Sequence, residues 1–225
     1  MAKVDWQGVY TAITTKLDRN ENVDAAGVAA DARFQIDSGV DAVVCCGSLG
    51  EASALTADEK MAICEAAKDA VGKQAPVMLT VAEDSTRAAA KIAERAAAMG
   101  LDGLMVLPAM RYVATPREVM AHFRTVAKAS GLPIMLYNNP VAYQIDITPQ
   151  MLGELADEPK FVAIKESSAD LRRFTDIVNV VGDRYRIFTG VDDLALEALM
   201  LGAAGWVAGL VCAFPKETVA IYRLA

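Results

Sequence analysis

The chain is poor in the residues from which most metal and cofactor sites are built. Its 225 residues include a single histidine, His122, and four cysteines, none of which forms a Cys-x-x-Cys pair. Zinc sites of the cysteine and histidine type are therefore not expected, and no metal is predicted. No Gly-x-Gly-x-x-Gly motif opens a first helix, which weakens a dinucleotide-binding interpretation. We predict no organic cofactor.

Positive charge is also scarce. The chain has 22 lysines and arginines against 29 aspartates and glutamates, a formal net charge of −7, and no basic tract. Nucleic acids and anionic membrane surfaces are therefore not expected as partners. The first six residues lack the apolar core of a secretion signal, and unpaired cysteines are typical of a reducing compartment. These features predict a cytoplasmic protein.

One long uncharged stretch, residues 198–215, has the length of a transmembrane helix. Three glycines, Gly202, Gly205 and Gly209, divide it into a helix end, a turn and a short strand. We therefore interpret it as part of a globular core rather than as a membrane span. The composition agrees, because 54% hydrophobic residues with few aromatics are typical of helices packed around a parallel sheet.

Strand and helix patterns alternate along the chain. Short apolar runs predict strands over residues 9–14, 41–46, 76–81, 103–107, 133–138, 161–165, 185–189 and 206–210. Periodic segments predict helices over residues 24–38, 56–71, 85–99, 116–130, 148–156, 170–181 and 192–201, and from 216 onward. Thr56 and Glu59 form a capping-box pattern at the start of one of them.

Eight such units predict an α/β protein with a closed (β/α)8 TIM barrel, as a single domain over residues 1–225. An open, doubly wound sheet is the alternative, because the number of strands does not by itself show closure. The sequence stops at Ala225 inside the last helical pattern, without a capping glycine or a polar tail. We therefore expect the barrel to be truncated within or just after its eighth helix.

In a barrel of this kind the active site lies where the strands end, because the following loops converge there. Only one lysine, Lys165, falls among the polar residues at these positions, which are Thr11, Thr14, Ser48, Tyr137, Asn138, Lys165, Glu166, Asp192 and Asp193. A lysine that loses its proton on burial becomes an amine nucleophile able to form a Schiff base with a carbonyl. A surface lysine at a strand end is the alternative.

Two further features support a carbonyl-binding site at this mouth. Tyr137 ends the preceding strand, where its hydroxyl could move the protons that Schiff-base formation requires; packing against the barrel rim is the alternative. Gly47-Ser48-Leu49-Gly50-Glu51 is a loop whose amides could hold a small carboxylate, although as a turn it needs no ligand. Ser48 could also relay protons to Tyr137.

Taken together, these motifs resemble those of the dihydrodipicolinate synthase and N-acetylneuraminate lyase family of class I aldolases. The resemblance rests on the glycine loop, Tyr137-Asn138-Asn139-Pro140, Ile164-Lys165-Glu166-Ser167 and Gly190-Val191-Asp192-Asp193, in that order along the chain. It implies a (β/α)8 barrel in which Lys165 forms a Schiff base with pyruvate or another 2-oxo acid, and Tyr137 and Ser48 move protons. It also implies substrate contacts from Ser48, Leu49, Val207 and Thr11.

The same resemblance implies a homotetramer and a C-terminal helical extension, which this sequence is expected to lack. Lysine-biosynthetic members have an arginine where this chain has Ala142, and a tyrosine pair where it has Ala109-Met110. Without the arginine a bidentate carboxylate partner is lost. We therefore expect a lyase that cleaves, dehydrates or deaminates a small 2-oxo or cyclic imino acid. A genuine 4-hydroxy-tetrahydrodipicolinate synthase, a non-catalytic 2-oxo-acid-binding barrel and an inactive fragment are the alternatives.

Overall fold

The computed structural model describes residues 5–225. Its strands are β1 Gly8–Ala12, β2 Ala42–Cys45, β3 Val77–Val81, β4 Gly103–Val106, β5 Ile134–Asn138, β6 Phe161–Glu166, β7 Arg186–Thr189 and β8 Gly205–Ala208. Its helices are α1 Ala25–Asp37, α2 Ala57–Val71, α3 Thr86–Met99, α4 Pro116–Ala129, α5 Pro140–Tyr143, α6 Pro149–Leu155, α7 Arg172–Val181, α8 Ala195–Met200 and α9 Pro215–Leu224.

The eight strands pair in chain order and close into a barrel, with β8 hydrogen-bonded to β1. Every strand pair is parallel. The predicted (β/α)8 TIM barrel is therefore confirmed, and the open-sheet alternative is wrong. Because all carboxyl ends of the strands lie at one mouth, the register sets which side chains meet there, and it places Tyr137 of β5 opposite Lys165 of β6.

The core has two layers on either side of the strands. The barrel interior is filled by buried side chains that alternate along the strands, including Tyr10, Ala12, Ala42, Val44, Met78, Met105, Leu107, Met135, Tyr137, Ala163, Phe188 and Val207. The opposite faces of the strands pack against the helices. In α3 the buried positions Ala89, Ile92, Ala93 and Ala96 follow the 3.6-residue helical period, and alanine lets that helix lie close to the sheet.

Local signals fixed the ends of several helices. Thr56 and Glu59 form the predicted capping box at the start of α2, with the Glu59 amide donating to Thr56 Oγ1 at 3.3 Å and the Thr56 amide donating to Glu59 Oε2 at 2.7 Å. Such a cap stabilises a helix by about 1 kcal/mol. The predicted helix over residues 192–201 instead begins as a 3-10 turn, Asp192–Leu194, before α8.

The uncharged stretch of residues 198–215 is divided as its glycines predict, into the end of α8, strand β8, the 3-10 turn Leu210–Cys212 and the start of α9. Among residues 5–225, no helix combines the length and the apolar character needed to cross a membrane. The expectation about a secretion signal falls mainly on residues 1–4, which lie outside the described residues.

Candidate active site

Lys165 is the penultimate residue of β6 and its side chain enters the barrel mouth. The residue is only 7% exposed, and its Nζ lies 4.2 Å from the centroid of the Tyr137 ring. Within residues 5–225 no carboxylate oxygen comes within the 4.0 Å that defines an ion pair with this Nζ. Gly190 makes room for the side chain, since a Cβ there would collide with Lys165 carbons and with Ser167 Oγ.

Burial is the main influence on the charge of Lys165. It lowers the pKa of the ammonium from 10.5 to about 8, and the negative charge of Asp192 partly opposes that shift. Desolvation disfavours the charged form of an amine, which is why the pKa falls. Near neutral pH an appreciable share of Lys165 is therefore a free amine, the form that attacks a carbonyl carbon.

Tyr137 stands next to this amine, and Tyr143 packs against Tyr137. Their rings pack edge to face, with centroids 5.9 Å apart, and Asn139 Nδ2 donates to the Tyr137 hydroxyl at 3.2 Å. The Tyr143 hydroxyl is hydrogen-bonded to Ser48 Oγ. Burial raises the pKa of Tyr143, the Ser48 hydrogen bond opposes this, and Tyr137 adds to it. Three hydroxyl groups thus lie in sequence from the surface loop toward Lys165.

The glycine loop presents amides to the mouth. Within residues 5–225, the backbone hydrogen bonds of the loop are donated by Glu51, to Ser48 O at 3.1 Å, and by Ala52, to Gly47 O at 3.2 Å. The amides of Ser48 and Leu49 have no backbone acceptor there. Free amides of successive residues form a concavity that suits an anion such as a carboxylate.

The loop is also held firmly in place. Thr15 Oγ1 donates to Gly50 O at 2.6 Å. A Cβ at Gly50 would lie only 2.9 Å from the carbonyl oxygen of Ile13, so a glycine is needed for this close approach. The loop therefore keeps its position against the end of β1.

Asp192 organises the opposite side of the mouth. Its carboxylate accepts hydrogen bonds from Trp206 Nε1 at 3.0 Å, from the Gly209 amide at 3.2 Å and from the Leu210 amide at 2.9 Å. These bonds tie the loop after β7 to the loop after β8. They also hold a negative charge near enough to Lys165 to favour its cationic form.

Behind β5 and β6, a buried hydrogen-bond network fixes the two strand ends. Asn138 Nδ2 donates to Glu166 Oε2 at 2.9 Å, and the Ser168 amide donates to Glu166 Oε1 at 2.6 Å. Burial raises the pKa of Glu166, which these hydrogen bonds oppose. Neighbouring Tyr137 and Lys165 therefore project from a rigid pair of strands.

The structure brings together most of the residues that the sequence predicts for the site. Lys165, Tyr137, Ser48 and Leu49 share the mouth, and the Val207 side chain is buried in the barrel interior. Thr11 is different. Its neighbours Tyr10 and Ala12 face the interior, whereas the Thr11 hydroxyl lies 3.7 Å from Cys212 Sγ, so its side chain is not brought to the others.

The sequence suggests that Ser48 could relay protons to Tyr137, and in the structure the Ser48 hydroxyl is hydrogen-bonded to Tyr143, which packs against Tyr137. Tyr143 ends the short helix α5, which was not predicted. A signal for that helix is present, because Asn139 caps it through a bond from the Ala142 amide at 3.0 Å and Pro140 occupies its first position.

Comparison with known proteins gives a consistent picture. The model of the family described as "Dihydrodipicolinate synthetase family" matches residues 5–225. The 4-hydroxy-tetrahydrodipicolinate synthase of Clostridium perfringens (strain ATCC 13124) is 35% identical over 185 residues, which are 82% of this chain and 64% of that protein. The chain thus spans less than two thirds of the length of this relative.

Solved structures share the same barrel. Dihydrodipicolinate synthase from Aquifex aeolicus superposes with a TM-score of 0.93 at 29% identity, covering 97% of this chain and 74% of that one. YagE, a prophage protein of the dihydrodipicolinic acid synthase family from E. coli K12 solved in complex with pyruvate, superposes with a TM-score of 0.90 at 27% identity. The superposition covers 96% of this chain and 74% of the YagE chain.

Proposed function

The chain belongs to the dihydrodipicolinate synthetase family, and we propose on that premise that it is a class I lyase whose Lys165 forms a Schiff base with pyruvate or another 2-oxo acid. The observation that carries the proposal is a buried lysine that has no carboxylate partner within residues 5–225 and lies over the Tyr137 ring at the barrel mouth. A relative crystallised with pyruvate, YagE, supports the choice of ligand.

The proposal assigns a residue to each part of the first chemical step. The free amine of Lys165 attacks the keto carbon, and a proton passes from nitrogen to oxygen to give a carbinolamine. A second proton then lets that hydroxyl leave as water, so the product is a cationic iminium. Tyr137 is the group placed to carry these protons, and Tyr143 and Ser48 connect it to the mouth.

The remaining groups bind the substrate carboxylate and stabilise the iminium. The amides of Ser48 and Leu49 hold the carboxylate of the 2-oxo acid. Asp192 stabilises the iminium electrostatically, since that nitrogen stays positively charged in a site that otherwise disfavours charge. Val207 lines the barrel interior beneath the site, and Thr11 supports the end of β1 through its contact with Cys212.

The distal part of the substrate differs from that of the lysine-biosynthetic enzymes. Ala142 is exposed at the end of α5, between Val141 and Tyr143, and offers no cation to a second carboxylate. We therefore propose aldol cleavage, dehydration or deamination of a small 2-oxo or cyclic imino acid. Genuine 4-hydroxy-tetrahydrodipicolinate synthase activity is the second candidate, because the curated relatives carry that name.

The test is to reduce the enzyme with borohydride in the presence of pyruvate and to measure intact mass. We expect one reduced pyruvyl group on the wild type, none on Lys165→Met, and one on Lys60→Met, which removes another buried lysine. An unmodified wild type would contradict the proposal. An adduct without product release from a panel of 2-oxo acids would favour the non-catalytic binding barrel.

Three further properties belong to the same proposal. Residues 1–225 act as one catalytic domain, because the strands and helices form a single closed barrel. The protein works in the cytoplasm, in keeping with its four free cysteines. It assembles as a homotetramer, as its family resemblance implies, and exposed apolar side chains such as Tyr112 and Val141 at the mouth are available for contacts. Sedimentation velocity measures that assembly state.

A further inference from the structure

Thr80, the penultimate residue of β3, has a hydroxyl group without a hydrogen-bond partner in the part of the chain that the structure describes. The residue is fully buried, and its Oγ1 has no hydrogen-bond partner within residues 5–225. A buried hydroxyl left unpaired costs about 1–3 kcal/mol, so native proteins seldom keep one without a use or a bound molecule. Thr80 is not among the residues that the sequence predicts for the site.

The side chain faces the barrel interior at the level of the glycine loop. Met78, two positions before it on β3, and Ala82, two positions after it and just past the strand end, belong to the interior cluster. Thr80 pairs with Met105 of β4. Its Oγ1 lies 3.5 Å from the point where a Cβ of Gly47 would stand. The hydroxyl is therefore directly beneath the first residue of the loop.

This position lies next to the expected carboxylate. β3 is the hydrogen-bonded neighbour of β2, and the loop that offers the Ser48 and Leu49 amides follows β2. In a 2-oxo acid the carboxylate is bonded directly to the carbon that Lys165 attacks. A molecule joined to Lys165 with its carboxylate on those amides brings that carboxylate to the strand end where Thr80 stands.

We propose that the Thr80 hydroxyl donates a hydrogen bond to the carboxylate of the bound 2-oxo acid, as a third donor beside the amides of Ser48 and Leu49. This rests on the proposed Schiff-base function and deepens it, because it makes Thr80 a determinant of selectivity for carboxylate-bearing carbonyl compounds. A hydroxyl that only bonded to an ordered water would contribute nothing to that selectivity.

The experiment compares two carbonyl compounds in two variants. Thr80→Val keeps the branched shape and removes the hydroxyl, whereas Thr80→Ser keeps the hydroxyl. The adduct on the peptide containing Lys165 is measured after borohydride reduction over a range of pyruvate concentrations. A second series uses a range of concentrations of acetaldehyde, which has no carboxylate. Thr218→Val is the matched control, because Thr218 is fully buried in α9 and bonds Phe214 O at 2.7 Å.

We expect the half-saturating pyruvate concentration to rise at least about tenfold in Thr80→Val, as for loss of a hydrogen bond to a charged group. It should stay close to the wild-type value in Thr80→Ser and Thr218→Val. The acetaldehyde concentration dependence should not change in any variant. Thermal melting of each variant confirms that it is folded.

Two results would overturn the assignment. One is an unchanged pyruvate dependence in folded Thr80→Val, and the other is an equal loss for pyruvate and acetaldehyde, which would mean an effect on Lys165 rather than on the carboxylate. A wild type that forms no pyruvate adduct would overturn the Schiff-base function itself. Failure of that function and failure of the Thr80 assignment are therefore distinguishable.

Discussion

The barrel buries two lysines within residues 5–225, and they have opposite surroundings. Lys60, in α2, is 3% exposed and pairs with Glu83 at 2.6 Å. Lys165, in β6, is 7% exposed, has no carboxylate in ion-pair contact and lies over the ring of Tyr137. Within residues 5–225 the negative charge that acts on its pKa is that of Asp192, which only partly offsets the effect of burial.

Under the proposed function, the difference implies that a nucleophilic lysine needs burial without a carboxylate partner. A carboxylate partner, Glu83, compensates the desolvated ammonium of Lys60. Lys165 lacks that compensation, and its pKa falls to about 8. At Lys165 the cost of burying an unpaired ammonium is thus linked to the nucleophilic chemistry proposed for it. Substitutions of Lys165 and of Lys60 can test the two sides of this contrast.

The largest expected effect concerns Tyr137, whose ring lies beside Lys165, and Tyr143, which packs against Tyr137. Tyr137→Phe keeps the ring under the amine but removes the hydroxyl, so we expect adduct formation to slow by about 10²-fold, the usual contribution of a general acid–base group. Tyr143→Phe should slow it less, because Tyr143 acts through Tyr137. Stopped-flow trapping measures both rates.

The matched control for these variants is Tyr185→Phe. Tyr185 is also buried, but its hydroxyl donates to Leu152 O at 2.8 Å, and the residue precedes β7 at the opposite end of the barrel. Its rate should equal that of the wild type. Equal rates for Tyr137→Phe and Tyr185→Phe would remove Tyr137 from the proton-transfer step.

The second prediction is that the two lysines have opposite effects on the free energy of unfolding. Lys60→Met leaves the partly buried Glu83 carboxylate unpaired and should destabilise by about 3 kcal/mol. Lys165→Met removes a buried ammonium that is held at neutral pH at a cost, and should stabilise by up to about 3 kcal/mol. Urea unfolding at pH 7 measures both, and destabilisation by Lys165→Met would contradict the contrast.

The direction in which Lys165 changes stability with pH follows from proton binding. Between pH 8 and 10.5 the unfolded chain keeps the Lys165 proton while the folded protein has released it, so stability gains from this residue as the pH rises through that window. The gain should be missing in Lys165→Met. The free energy of unfolding is measured against pH for the wild type and for Lys165→Met. The difference between their slopes over that window isolates the contribution of Lys165.

The smallest expected effect concerns Asp192, the one acidic group in the described residues 5–225 whose charge acts on the pKa of Lys165. Asp192→Asn removes its charge, so the pKa of Lys165 should fall further below its present value. The pH midpoint for adduct formation should move down accordingly. Asp193→Asn, at the next position and also exposed, is the control and should leave the midpoint in place.

Much of the fold could be predicted from the sequence because its signals are local. Apolar runs, the capping pattern at Thr56 and the glycines after helices each act within a few residues, and the barrel follows from their regular alternation. Lys165 and Tyr137 could be paired for the same reason, since both end neighbouring parallel strands.

What could not be predicted depends on contacts between distant parts of the chain or on exact strand boundaries. Ser48 and Tyr143 meet across 95 positions, and no local pattern links them. The burial of Lys60 depends on Glu83, which comes from the loop after another strand. Thr11 was expected at a strand end, but which face it occupies depends on alternation within β1, and the structure turns it toward Cys212.

The most direct test of the central claim is to map the reduced pyruvate adduct to individual peptides of the wild type at a series of pH values. We predict that adduct is confined to the peptide containing Lys165, and that its initial rate of formation rises with a midpoint near pH 8. Adduct on the Lys60 peptide, or a midpoint at the ordinary lysine value of 10.5, would contradict the claim that unpaired burial makes Lys165 the nucleophile.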